Sequence, residues 1–236
     1  NVVRVREFFT EHDTGYFVMN YYDGQSLPEF MTSGPRPMSP ATVFSLLMPI
    51  LDGLEAVHAQ SFAHRDIKPS NIYIRDGGSP VLLDFGAARL AVGEKTTTLS
   101  VVLTPGFAPV EQYHSKGKQG PWTDIYALGG TLYYMMTGKV PPDALDRSFG
   151  TEMASPNTVN EAVSDQLNQA IVGAMTVQAE RRPQNVGEFR ALLLGEVLGE
   201  DGPPTVSGFD VTESYDPDGE TEPNPNHPDI GALPTR

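Results

Sequence analysis

The stretch from Asp124 to Thr137 constrains the fold more than any other part of this 236-residue chain. It is strongly apolar, and Gly138 follows it as a stop signal. A helix that is apolar all round has no solvent face, so the pattern predicts a helix in the middle of a domain, enclosed by other elements. Apolar residues make up 39% of the chain, enough to build that enclosure.

The flanking elements read as follows. Ser39 caps and Pro40 opens a helix that carries Phe44, Leu47, Leu51, Leu54 and His58 on one face. Pro49 lies inside it and predicts a kink, not a break, because the pattern continues in phase. Glu161 to Thr176 is amphipathic through Val163, Leu167, Ile171 and Met175, and Asn185 caps a last helix through Phe189, Leu192 and Leu193. Val2–Val5 and Tyr16–Met19 read as strands around the turn residues His12–Gly15, and Asp23–Gly24 ends the second run. Ile72–Ile74 and Val81–Leu83 form a hairpin around Asp76–Gly78. Met31–Pro40 reads as a loop. The expectation is an α+β fold, a small β piece followed by a helical body.

Composition excludes several classes of function. The chain has no cysteine, which removes disulfide scaffolds, cysteine-ligated zinc and a thiol nucleophile. A net charge of −14 argues against nucleic acid as a partner. No run approaches eighteen uninterrupted apolar residues, so no membrane segment is expected within the chain. Residues 201–236 hold eight Asp/Glu, one Arg and seven prolines, and read as an acidic, Pro-rich disordered tail.

Two segments carry chemistry. His64-Arg65-Asp66-Ile67-Lys68-Pro69-Ser70-Asn71 lies between the first long helix and the hairpin, and Asp84-Phe85-Gly86 follows the hairpin directly. Phosphoryl transfer from a metal-bound nucleotide needs one carboxylate to accept the hydroxyl proton. It needs a second carboxylate and an amide oxygen to hold hard cations, and a lysine to offset phosphoryl charge. Either segment alone is weak; Asp84-Phe85-Gly86 by itself is an ordinary strand-to-turn sequence.

Together the two segments resemble the catalytic loop and the metal-binding triplet of eukaryotic-type Ser/Thr protein kinases of the bacterial branch. Thr104–Glu111 resembles the end of the activation segment, Asp124–Gly129 the start of the buried central helix, and Arg182-Pro183 the late arginine that pairs with the activation-segment glutamate. The resemblance covers nearly all of residues 1–195 and implies a protein-kinase-like fold. Its parts would be a remnant of the small lobe and hinge over 1–28, the large lobe over 29–200 and the tail over 201–236.

The resemblance implies transfer of the ATP γ-phosphoryl to Ser or Thr of a protein, with Mg²⁺ or Mn²⁺, in the cytoplasm. A membrane anchor beyond Arg236 and the oligomeric state stay open. It implies Asp66 as base, Lys68 at the γ-phosphate, and Thr104 bridging the two. Asn71 and Asp84 would bind metal. Met19 would be the gatekeeper, with Asn20 and Tyr22 at adenine and Ser26 at ribose or substrate. Tyr73 reads equally as pocket floor or as core filling. Arg65 would pair with a phosphorylated Thr96, Thr97, Thr98 or Ser100. His64 and Phe85 would pack together, and Glu111, Asp124 and Arg182 would be structural supports.

The sequence departs from the family at its front. No glycine-rich phosphate loop, strand lysine or partner glutamate is present. This reads either as a fragment of an active kinase or as a natural kinase-like binding module. The non-methionine start and a tail that stops in mid-linker favour the fragment, which is expected to be inactive in isolation. A small-molecule kinase of related fold fits less well, since those lack a segment like Thr104–Glu111.

Overall fold

The computed structural model describes residues 1–3, 5–12, 14–34, 37–83, 103–114 and 116–195. Its centre is the predicted apolar helix. This element runs from Pro121 to Thr137, begins one turn earlier than the apolar pattern, and ends where Gly138 takes a left-handed φ of 70°. Ile125, Tyr126, Leu128, Leu132 and Met136 are all buried within it.

Seven helices lie among the described residues: α1 (Leu27–Ser33), α2 (Pro40–His58), α3 (Pro121–Thr137), α4 (Ala144–Ser148), α5 (Pro156–Val159), α6 (Asp165–Ala174) and α7 (Val186–Leu194). α3 packs against α2, α5, α6 and α7, so it is enclosed as its composition requires. α2 starts at the expected cap, where the Ser39 hydroxyl accepts the Thr42 N–H, and it stays helical through Pro49. It is the one helix among the described residues long and apolar enough to cross a membrane. Here it is a core helix: Leu46, Leu47, Ile50, Leu51 and Leu54 are buried while Asp52 and Glu55 are exposed. α6 is shorter than the amphipathic pattern, because Ser164 accepts the Leu167 N–H and sets the start there. α7 starts at Asn185 as expected, whose side chain accepts the Glu188 N–H. Leu192, placed on its apolar face by spacing, is partly exposed, while Ala191 and Leu193 turn inward.

The strands form two sheets. β1 (Val5–Glu11) and β2 (Thr14–Met19) make an antiparallel pair of their own, while β3 (Gly24–Ser26), β4 (Ile72–Arg75) and β5 (Pro80–Leu82) make a second antiparallel sheet in that order. The first strand is not the expected one. Val3 is buried and its N–H donates to the Leu82 carbonyl at 2.9 Å, and Val2 bridges Leu82 in parallel. This end of the chain lies against Gly53 of α2, where a Cβ would stand 2.8 Å from Val2 Cγ2. Burial against α2 thus draws the valines out of the hairpin, and residues 5–11 pair with β2 instead.

β3 and α1 are further corrections. The expected loop from Met31 begins as helix, because Leu27 and Met31 are buried four residues apart and the Glu29 carboxylate accepts both the N–H and the hydroxyl of Ser26, each at 2.8 Å.

Candidate active site

The segment joining α2 to β4 has little secondary structure, and the side chains around it hold its shape. Arg65 takes φ 66°, a left-handed conformation that is costly for a residue with a Cβ. Two hydrogen bonds maintain it. Asp124 Oδ1 accepts the Arg65 N–H at 2.7 Å, and Gln112 Nε2 donates to the Arg65 carbonyl at 2.7 Å.

Asp124 is fully buried at the start of α3 and serves three donors. Its Oδ2 accepts the His64 N–H at 2.8 Å and faces His58 Nε2 at 2.7 Å. Among the described residues His58 Nδ1 is buried without a partner, which assigns the proton to Nε2 as donor to Asp124. Burial alone would push the Asp124 carboxyl up. The His58 hydrogen bond, the nearness of the His58 and His64 rings and the Arg65 N–H outweigh it and hold the carboxyl below its ordinary range.

With the backbone held, two of the expected catalytic side chains, Asp66 and Lys68, meet the expected metal ligand Asn71. Lys68 Nζ lies 2.9 Å from Asp66 Oδ1. Asn71 Nδ2 donates to the Asp66 carbonyl at 2.8 Å and to Asp66 Oδ2 at 2.9 Å. Asp66 and Lys68 stay partly exposed while Asn71 is buried, so the carboxylate is open to a reacting hydroxyl. Thr104 lines the same small cavity as Asp66, along with Leu103, Phe107 and Ala108.

His64 links this loop to the hairpin. Its Nδ1 accepts the Asp66 N–H at 3.3 Å and its Nε2 faces the Leu83 carbonyl at 2.9 Å. Leu83 N–H donates in turn to the Asn71 carbonyl at 2.8 Å. Asp84 and Phe85 are the next residues in sequence; they lie outside the described residues, as do Thr96, Thr97, Thr98 and Ser100.

The expected support pair is present. Arg182 Nη1 and Nη2 donate to the two oxygens of Glu111 at 2.8 and 3.1 Å, both side chains buried. The guanidinium also donates to the carbonyls of Thr176 and Val177 and stands 4.7 Å over the Tyr126 ring. Thr123 Oγ1 donates to Glu111 Oε1, which ties the pair to α3.

The residues expected at the nucleotide divide between the two sheets. Tyr73 on β4 stands opposite Ser26 on β3, and Arg75 stacks 5.4 Å over the Tyr22 ring. Burial, followed by the charge of Tyr21, Asp23, Asp76 and Glu29, pushes the Tyr73 hydroxyl up. The Ser26 hydroxyl is taken by Glu29 at the start of α1. Met19 ends β2 and is half-buried, and Asn20 follows it, exposed. Sequence reasoning gave His58 only a place on an apolar helix face and gave Gln112 none. The signal for His58 was a polar residue on that face; Gln112 had no signal.

The protein kinase domain description matches residues 1–186. Serine/threonine-protein kinase Pkn1 of Myxococcus xanthus is 31% identical over 207 residues, 82% of this chain and 29% of its own length. Serine/threonine-protein kinase D of Synechocystis is 37% identical over 147 residues, 59% of this chain and 28% of its own length. The chain thus spans less than a third of these relatives. The solved structure titled PpkA-294 apo form superposes with a TM-score of 0.70 at 35% identity, covering 81% of this chain and 68% of that one. The kinase domain of Mycobacterium tuberculosis PknI superposes with a TM-score of 0.65 at 18% identity, covering 83% and 71%, and shares the fold. The chain belongs to the protein kinase family, with bacterial Ser/Thr protein kinases as relatives.

Proposed function

We propose that the chain is catalytic machinery of a Ser/Thr protein kinase, moving the γ-phosphoryl of ATP to a hydroxyl of a protein substrate. The observation that supports this most is the Asp66–Lys68–Asn71 cluster on a strained loop held by Asp124. In the step, the substrate hydroxyl oxygen bonds to the γ-phosphorus and the bond from γ-phosphorus to the β–γ bridging oxygen breaks, releasing ADP. The hydroxyl proton goes to Asp66. Lys68 turns from Asp66 to offset charge on the phosphoryl oxygens.

The donor chemistry fits a divalent cation. Asn71 spends its amide nitrogen on Asp66, which leaves its amide oxygen as a hard ligand, and Asp84 is the carboxylate that would join it. When bound, Mg²⁺ or Mn²⁺ neutralises charge on the nucleotide phosphates. Arg65, exposed at the loop, would take a phosphate on the 96–100 threonine and serine run. Tyr73, Tyr22 and Ser26 would border the nucleotide.

The test is Asp66→Asn in the full-length protein, with phosphoryl transfer to a generic Ser/Thr protein substrate as readout. Transfer should fall by about 10²–10⁴ with nucleotide affinity retained. Transfer unchanged by the substitution would end the assignment of Asp66 as base.

A further inference from the structure

This acidic chain has five lysines. Three of them, Lys116, Lys118 and Lys139, are exposed on two neighbouring segments. The Tyr113 hydroxyl donates to Asp143, which joins the two segments. The 116–118 turn presses on the Glu111 backbone, where a Cβ at Gly117 would fall 1.9 Å from the Glu111 carbonyl oxygen. Lys139 leads into Val140 and Pro141, which cover Gly106: a Cβ there would stand 2.8 Å from Val140 Cγ1. Gly106 belongs to the 103–108 segment that walls the Asp66 cavity. The segments that carry the lysines therefore adjoin the 103–108 segment beside the Asp66 cavity.

Among the described residues, ion pairs to lysine and arginine engage Lys68, Arg182 and Arg190, and none involves Lys116, Lys118 or Lys139. Asp143 is occupied by Tyr113 and by the Leu145 N–H, and Asp146 is an exposed carboxylate on α4. Val140 and Phe149 add apolar surface, 55% and 88% exposed. The surface is thus basic with apolar points, on a molecule of net charge −14.

We propose that this surface docks the chain's own acidic segment, residues 205–222. That segment holds six Asp/Glu and no Lys or Arg, with Phe209 and Val211 among them. Its charge is opposite to that of the lysines, and its apolar side chains, Phe209 and Val211 among them, match the exposed Val140 and Phe149. Reach is sufficient: fifteen residues beyond Gly195 extend up to about 50 Å, against a radius of gyration of about 16 Å for a domain of this size. Docked there, the segment competes with protein substrates for the approach to Asp66, a consequence that rests on the kinase reading above. It also carries Thr212, Ser214 and Thr221, so phosphorylation would add charge of the sign the lysines attract.

The test uses the whole chain and no catalytic readout, so it succeeds or fails independently of kinase activity. The chain has no cysteine, so Gly208→Cys creates a unique position for a nitroxide spin label. Paramagnetic broadening of backbone amide signals should concentrate at residues 116–118 and 139–141. It should weaken about tenfold between 50 mM and 500 mM salt, since exposed charges are screened over roughly 4 Å at the higher value. The combined K116E, K118E and K139E exchange should abolish it. Broadening spread evenly over the domain, or untouched by salt and by charge reversal, would overturn the proposal. Broadening seen only when spin-labelled and isotope-labelled chains are mixed would overturn docking within one chain.

Discussion

Asp124 shows how a single buried residue can govern a site it does not enter. Its two oxygens accept the N–H groups of His64 and Arg65 and face His58, so the carboxylate fixes the backbone that presents Asp66. Asp124→Asn turns one acceptor into a donor that faces other donors. The expected cost is about 2 kcal/mol in urea unfolding, with phosphoryl transfer reduced in the full-length protein. The pH dependence follows from the lowered carboxyl. A carboxylate more acidic in the folded than in the unfolded state stabilises fully above its unfolded pKa, near 3.9, and loses that contribution as pH falls through the folded value. The stability gap between the native chain and Asp124→Asn should hold from pH 7 to 5 and close below about 4. A gap that is constant with pH would show that the charge plays no part. Asp124 was legible in the sequence as a support through family resemblance. His58 and Gln112, which complete its work, were not, because their partners are 66 and 47 residues away in sequence.

At the level of elements, the Glu111–Arg182 pair and α3 do different work. Glu111 sits on a short 3₁₀ turn, and Arg182 lies in the connection before α7; the pair clamps both segments to the start of α3. Glu111→Gln leaves a buried guanidinium without its counter-charge. Thermal or urea unfolding should register a loss of about 3–5 kcal/mol. The α3 helix holds through packing instead. Leu132 is fully buried at the helix centre, so Leu132→Ala should cost about 2–5 kcal/mol and leave nucleotide binding untouched when the domain is still folded. A loss below 1 kcal/mol would mean that the core around α3 collapses to fill the void. Helix starts were legible at Ser39 and Asn185, where the cap immediately precedes the apolar pattern. The start of α6 was not, since an amphipathic pattern runs on through the turn that Ser164 interrupts.

For the whole molecule, the two sheets have unequal support. β3–β4–β5 lies against α2 and carries buried Ile72, Ile74, Val81 and Leu82, whereas among the described residues β1–β2 pairs only with itself and leaves Phe9, Tyr16 and Val18 partly exposed. A lone two-stranded pair is marginal in water. Hydrogen exchange should therefore show the amides of residues 5–19 opening well before those of β4, β5 and α3. Equal protection in both sheets would show that the hairpin is anchored to the rest of the domain. The central apolar helix, the caps at Ser39 and Asn185 and the β4–β5 hairpin follow from local pattern and spacing, because periodicity and capping act within a few residues. The tertiary structure decided the rest. It set the partners of Val2 and Val3, the burial of α1 and the left-handed turn at Arg65. It also joined the 113–118 and 139–143 segments through Tyr113 and Asp143. Each depends on groups far apart in sequence, and only the packed chain brings their burial and charge together.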